Sequence, residues 1–599
     1  VTEQAVQTRW WLAPDDEIAG AVHSNVRFLD EQQSGRRETD LKHLRLYGGT
    51  QYEGFRARTY ARNLSENRIT LNVIKSAVDT ATAKIAKNSP RASFLTTGGD
   101  WSAQKKAKKL TQLTDGVFYS SGVRRQGPVW FRDACVLGSA FAKVYASDGD
   151  IHVERVLPCE VYVDDADAVY GEPRSMFQVR YVDRAVLREM YPRHAEAIDE
   201  AKEADAEELG YAGRDLLADQ LEVIEAWHLP SGKKAKDGKH VITIENAWLV
   251  KEKWEDDWFP FAVLRWSDPM IGFWGTGLAE ELTGIQVEIN QLLQKIQRSF
   301  ELLAVPTVYL QQGSKVLKEH LTNQIGRIVT YLGQPPMVVT PQTVHPEVFA
   351  HLDRLYQRAF EIAGISMLSA SGKKPSGLDS GRALREYSDI ESERFSTVAK
   401  AYEEFHLGIA RLVVAHARKL AASGKFRATG LDGRFLREIE WKDVDLAEDK
   451  YVLQAWPVSA LPQTPAGRLQ TVQELYGAGF LDKETALQLL DFPDLQEASS
   501  LALAPLDLIR AQLEKMLDDG EYQPPEPYQD LELARRTAQY AEQRGKIDGA
   551  PAANLELVRQ YIDACGALLS QAQAASQPAA PPALPMPQAP LAPAGAMAA

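Results

Sequence analysis

Cysteine is almost missing: Cys135, Cys159 and Cys565 are the only three in 599 residues. They stand too far apart, in too unlike surroundings, for a metal-ligand spacing or a disulfide framework, which fits a reducing compartment. No apolar run approaches the roughly 20 residues that a membrane-spanning helix needs. The most apolar stretch near the middle, 302–310, is interrupted by Pro306. Val1-Thr-Glu-Gln4 has neither a basic start nor an apolar run behind it, so no secretory signal is expected, and a soluble protein made inside a cell is. An excess of positive charge is lacking too. With 68 Lys and Arg against 82 Asp and Glu, a formal net charge of −14, the chain is not built to grip phosphates over a broad face. Two readings of that acidity stay open: solubility alone, or a surface past which a polyanion must slide without sticking.

Catalytic motifs are lacking as well. Gly372-Lys373-Lys374 has Met367 where a phosphate-cradling loop needs glycine, and Lys374 where it needs Ser or Thr. Ser371 to Lys374 fits a Ser-x-x-Lys pattern, but without the companion motifs of that hydrolase class. His406 and His416 fall on one helical stretch at a spacing that does not share a zinc-binding face. Asp164, Asp165 and Asp167 lack the spacing of a calcium loop and read as a solvated acidic turn. Lys105, Lys106, Lys108 and Lys109 read as a solvated helix start. No catalytic, cofactor-binding or metal-binding residue is nominated, no cofactor is expected, and the chain is not expected to be an enzyme.

What is present is an ordinary globular composition, 44% hydrophobic and 25% charged, long enough for several cores. Residues 15–47 read as a charged helix and 71–86 as a helix with Val73, Ala77, Val78 and Ala81 on one side. Another helix is expected over 103–121. Alternating runs on either side of Asp148-Gly-Asp150 read as a β-hairpin over 141–156. Strand signals recur at 160–163, 177–182, 221–228 and 240–249, around an acidic helical insertion at 195–209.

Beyond residue 275 the pattern changes to long helices. Leu278, Leu282, Ile285, Ile289, Leu292, Ile296, Phe300 and Leu303 recur at spacings of four and three, one apolar stripe on a rod of roughly 40 Å. Asn290, Gln294, Gln297 and Glu301 form a second, mostly amide stripe. A compact module follows, with strand candidates at 307–310, 326–332 and 337–340 and a short helix at 315–323. A second helix opens at Pro346, a residue suited to the first helical position, and Val348, Leu352, Leu355, Ala359 and Ile362 repeat the stripe. The Gly- and Ser-rich stretch 371–381 reads as a loop leading into a long helix over 382–420, with Val398, Tyr402, Phe405, Ile409, Leu412, His416 and Leu420 on one side. A strand at 451–456 and a run of shorter helices come next, and from Gln571 an uncharged Ala/Pro/Gln-rich tail, read as disordered.

This order resembles the core of the portal proteins of tailed bacteriophages, over roughly 72–490. Local wording agrees: Phe259-Pro-Phe-Ala-Val-Leu-Arg-Trp266, Trp274-Gly-Thr-Gly277 and Gln286-Val-Glu-Ile-Asn290 look like the approach to the first portal stem helix, and Trp456-Pro-Val-Ser-Ala-Leu-Pro462 with Gly477-Ala-Gly-Phe-Leu-Asp482 like the approach to the crown. The resemblance implies an α+β, mainly helical portal-type fold in a ring oligomer. It divides the chain into an N-terminal α+β wing (1–270), first stem helix (275–305), clip (306–345), second stem helix (346–370), tunnel loop (371–381), long wing helix and strand return (382–456), helical crown (457–570) and tail (571–599). It implies a head-to-tail connector at one capsid vertex of the virion, made in the host cytoplasm: a homo-oligomer of about twelve subunits with a DNA channel. Double-stranded DNA would pass through unread during packaging and ejection. The implied partners are the packaging ATPase (large terminase), a tail adaptor, and the major capsid and scaffolding proteins, with no membrane. On that frame Ile285, Ile289, Leu352 and Leu355 are expected in stem packing, Lys315, Lys318 and Glu319 in clip docking, and Lys373, Lys374 and Arg382 as tunnel-loop DNA contacts. The rivals are a helical virion or scaffold protein without a channel and a DNA-packaging enzyme, the latter disfavoured by the missing nucleotide loop and metal site.

Overall fold

Amphipathic periodicity and turn chemistry account for most of the elements. A computed structural model describes residues 9–48, 71–86, 90–96, 101–204, 219–232, 234–304, 307–309, 312, 337–339, 345–365, 395–424, 426, 428–432, 435–439, 444, 451–457, 465–480, 486 and 493–576. The helices are α1 (Ile18–Gln32), α2 (Ser34–Gly48), α3 (Val73–Ile85), α4 (Trp101–Ser120), α5 (Val123–Leu137), α6 (Arg184–Met190), α7 (Ala195–Glu200), α8 (Leu278–Ala304), α9 (Pro346–Ala363), α10 (Ser396–Ala422), α11 (Pro465–Gly477), α12 (Pro493–Glu514), α13 (Leu531–Ile547) and α14 (Ala552–Ser576). The strands are β1 (Pro90–Thr96), β2 (Ser139–Ser147), β3 (Asp150–Val156), β4 (Val161–Val163), β5 (Ser175–Asp183), β6 (Gln220–His228), β7 (Lys239–Ile244), β8 (Ala247–Lys253), β9 (Phe261–Arg265), β10 (Thr307–Tyr309), β11 (Met337–Val339), β12 (Ala428–Asp432), β13 (Phe435–Ile439) and β14 (Tyr451–Pro457). The fold is thus α+β and mainly helical.

The chain divides into two units. The first comprises 1–94, 109–445 and 453–458, the second 95–108, 446–452 and 459–599. In the first, β4-β5-β6-β7-β8 form a five-stranded antiparallel sheet and β3-β2-β9 a three-stranded one. The β2–β3 hairpin turns on Asp148 (φ 54) and Gly149 (φ 90), the left-handed pair that a two-residue loop demands. Trp10 and the α1 stripe Ile18, Val22 and Val26 cover one face of the larger sheet against Tyr162, Phe177, Val179, Ile224 and Val241. Phe141, Val156, Met176, Trp227, Phe261 and Phe273 form a second core.

Several elements differ from expectation, each for an identifiable physical reason. The helix expected over 15–47 breaks at Gln33, which is buried and donates its Nε2–H to the Val163 carbonyl at 2.6 Å. The strand expected over 240–249 is two, β7 and β8, paired as a hairpin. Helix α5 went unread because Gly127 and Pro128 both argue against a helix. Gly127 is there for packing: a Cβ on it would lie 2.3 Å from the Tyr402 hydroxyl of α10. In the C-terminal region α14 continues to Ser576, past the Gln571 at which composition placed the start of a tail.

The second unit gathers Ile509, Leu513, Met516, Leu531, Ala534, Leu555, Val558 and Tyr561 into one core, with Trp101 packed against it. The start of α4, residues 101–108, therefore belongs with the C-terminal helices rather than with the first unit. Its lysines are anchored rather than merely solvated. Lys105 Nζ donates to the Asp518 carbonyl at 2.6 Å and to Asp519 at 3.0 Å, and Lys108 Nζ to Glu514 at 2.6 Å.

Candidate assembly helices

The α8–α9 pair is the strongest candidate site, because its two ends are buried so differently. Its beginning is set by a crossing of glycines. Gly138, at φ 78 after α5, and the Gly275-Thr-Gly277 segment before α8 pass so closely that side chains are excluded. A Cβ on Gly138 would sit 2.0 Å from the Gly275 carbonyl oxygen, one on Gly275 2.6 Å from that of Gly138, and one on Gly277 2.8 Å from that of Cys135. Ser139 Oγ accepts from the Gly275 N–H at 3.0 Å. Trp274 beside them lies under the Arg36 guanidinium at 3.7 Å. Arg36 also donates to Asp40 at 3.0 Å and to Gln33 at 3.1 Å. Burial raises the Asp40 carboxyl to about 6, against the pull of Arg36.

Two turns into α8, Gln286 joins it to α3. Its Oε1 accepts from the Val73 N–H at 2.8 Å and the Ile74 N–H at 3.3 Å, satisfying donors at the start of α3 that have no partner within that helix. Its Nε2 donates to the Leu71 carbonyl at 2.8 Å and to Asn290 at 3.0 Å. Gln286 and Asn290, the polar ends of one sequence motif, thus act as a single bracket. The apolar stripe buries around it: Leu278 and Leu282 are 1% exposed, Ile289 is fully buried, and Leu292 and Ile296 nearly so.

Burial then fades. Phe300 is 54% exposed, though its ring meets Phe349 of α9 at 6.5 Å. That contact joins the end of α8 to the start of α9. The strands that follow α8 and precede α9 pair antiparallel, Thr307 with Val339 and Tyr309 with Met337. Helix α9 is buried only toward its own end, at Ala359, Phe360 and Ala363, and stops at Gly364 (φ 71). Phe349 and Ile362 remain exposed. Among the described residues the two helices fold back on each other as a hairpin, its apolar stripe buried at the root and exposed at Phe300 and Phe349.

Of the residues singled out from sequence, Ile289 is buried and Ile285, Leu352 and Leu355 are half-buried. At the root this one chain supplies the partners, from α2, α3 and α5, so Ile289 needs no second copy to cover it. Lys315, Lys318, Glu319, Lys373, Lys374 and Arg382 lie outside the described residues.

Helix α10 packs its stripe of Tyr402, Phe405, Ile409, Leu412 and Val413 onto β2 and β9. His406 and His416 are buried there as neutral imidazoles, both lowered to about 4 by burial. Asp167 accepts from the Arg174 and Ser175 N–H groups at 2.6 and 3.3 Å, and Asp164 from the Ala166 N–H at 2.9 Å, so those aspartates hold turns. Among the described residues no cluster of His, Cys, Asp and Glu is arranged to hold a metal ion, and no helix is long and apolar enough to cross a membrane.

Part of the stretch that builds this root, up to the opening turns of α8, has a match among known families. Residues 27–284 match the family model described as phage P22-like portal protein. The portal resemblance is shown over those residues. The match takes in the five-stranded and three-stranded sheets, the Gly275–Gly277 crossing and the opening turns of α8. No curated protein matches the chain.

Proposed function

We propose that the chain is the subunit of a phage portal, a ring that conducts double-stranded DNA at one capsid vertex. The observation that carries this reading is the contrast along the α8–α9 hairpin: its root is locked inside a portal-like domain, while its tip keeps large apolar side chains in water. Such a tip gains by meeting copies of itself around a ring, where each exposed phenylalanine becomes an interface contact. The acidity of the chain suits a bore that DNA passes without adhering, with phosphate contacts confined to Lys373, Lys374 and Arg382.

In this reading the segment 306–345, with Lys315, Lys318 and Glu319, docks the packaging ATPase and later the tail adaptor. The outer surfaces meet the major capsid and scaffolding proteins. Charge reversal tests the conduit role. Lys373→Glu with Lys374→Glu should leave ring assembly intact and impair packaging or retention of DNA in assembled particles. Wild-type packaging and retention would remove these lysines from the channel.

A further inference from the structure

A histidine in the first unit is held in a way that only its charged form satisfies. His240 of β7 places Nε2 2.9 Å from Glu225 Oε1 and Nδ1 2.7 Å from Glu252 Oε1. A neutral imidazole has one N–H, so the second contact would set a lone pair against a carboxylate; with both nitrogens on carboxylates, both must donate. A protonated carboxyl at Glu225 is disfavoured by the Lys143 ammonium, which sits on its other oxygen and stabilises the carboxylate. Burial alone would raise Glu225, but Lys143 and His240 outweigh it and hold it at about 2. Trp227 stacks on the imidazole at 5.3 Å and Trp254 meets it at 5.7 Å, aromatic faces that favour a cation.

Glu252, His240, Glu225 and Lys143 therefore alternate in sign along one hydrogen-bonded chain. It crosses β8, β7 and β6 of the larger sheet and ends on β2 of the smaller. Lys143 Nζ also donates to Gln178 Oε1 at 3.0 Å. Other ionisable groups face the chain. Lys419 of α10 lies 4.2 Å from the Trp254 ring and acts on Glu252. His416 of α10 is kept neutral by burial, then by Lys419 and Lys143. Tyr145 and Tyr191 feel the Glu225 charge. None of these replaces the two N–H donors of His240.

We propose that this chain is a proton-controlled clasp: the His240 imidazolium locks the β7–β8 hairpin to the two-sheet core, and loss of its proton releases Glu252 and loosens that edge. The direction follows from the two carboxylates, which raise His240 above the ordinary histidine value despite burial. Stability from the clasp is fully present below the unfolded value near 6.5 and lost as pH rises through the raised folded value.

Hydrogen exchange followed by mass spectrometry on the full chain, corrected for the intrinsic rate at each pH, reads the clasp directly. Peptides covering 239–253 should lose protection progressively as pH rises from neutral toward ~9.5. In Glu252→Gln that loss should move to lower pH, and in His240→Gln protection should be low and independent of pH. Protection that stays constant across the range in the wild type, or a midpoint that Glu252→Gln leaves in place, overturns the proposal. If His240→Gln does not fold, the wild-type and Glu252→Gln profiles decide alone.

Discussion

The two ends of the α8–α9 hairpin carry the same kind of apolar stripe and meet opposite fates. At the root, glycines let two backbone segments cross, Gln286 brackets α3, and Ile289 disappears from solvent. At the tip, Phe300 and Phe349 touch each other and still face water. Spacing of apolar residues thus announces that a face will be covered, not by what. The chain itself covers the root; the portal reading assigns the tip to neighbouring subunits.

Acid should break the root's scaffold most severely. His406 and His416 lie on α10, which packs against β2, β9 and α5, and both are held to about 4 by burial. Between pH 6.5 and 4 the unfolded chain takes up protons that the folded chain refuses, so stability falls as pH falls through that window. Each histidine removes roughly 3 kcal/mol by pH 4. Thermal melts at pH 7, 5.5 and 4 should show this descent, and Tm values constant across it would contradict neutral burial.

Ile289→Asp is expected to cost about 4 kcal/mol by placing an unpaired charge in a dry site. It should lower the subunit's own melting temperature before assembly enters. A variant that melts like wild type but fails to form rings would move Ile289 from the root to an interface. Gln286→Ala follows, at about 2 kcal/mol, because it strands the buried Ile74 N–H and leaves the Val73 N–H and the Leu71 carbonyl only each other, at 3.1 Å. Urea unfolding measures it, and a loss below about 0.5 kcal/mol would mean that water replaces the bracket. The smallest effect on the subunit belongs to Phe300→Ser, within about 0.5 kcal/mol, as for exposed positions generally. The same change should weaken assembly, read as a rise in the protein concentration at which oligomers dissociate. Unchanged assembly would leave the tip unpartnered.

Much of the scaffold was legible in the sequence wherever the signal is local. The rods α8, α9 and α10 follow from four-three spacing, and the Asp-Gly turn from its need for positive φ. What escaped depends on residues far along the chain. Gly127 reads as a helix breaker until Tyr402 is seen against it. Gly275 and Gly277 were visible as motif letters, but their reason is Gly138, more than a hundred positions earlier. The Lys143–Glu225–His240 chain left no trace either, since a lysine within an alternating strand reads as solvent-facing until the second sheet closes over it. For the candidate site, the stripe was legible and the boundary between covered root and bare tip was not, because it is set by where α2, α3 and α5 end against α8.

The central claim is that copies of this chain close into a ring around an opening wide enough for duplex DNA. End-on electron microscopy of the purified full-length protein, with its mass measured in solution, tests this most directly. The account predicts a closed ring of about twelve subunits, consistent with cyclic symmetry built from heterologous contacts, with a central pore some 20 Å or more across. A monomer at concentrations where virion proteins assemble, or a compact oligomer with no pore, would contradict it.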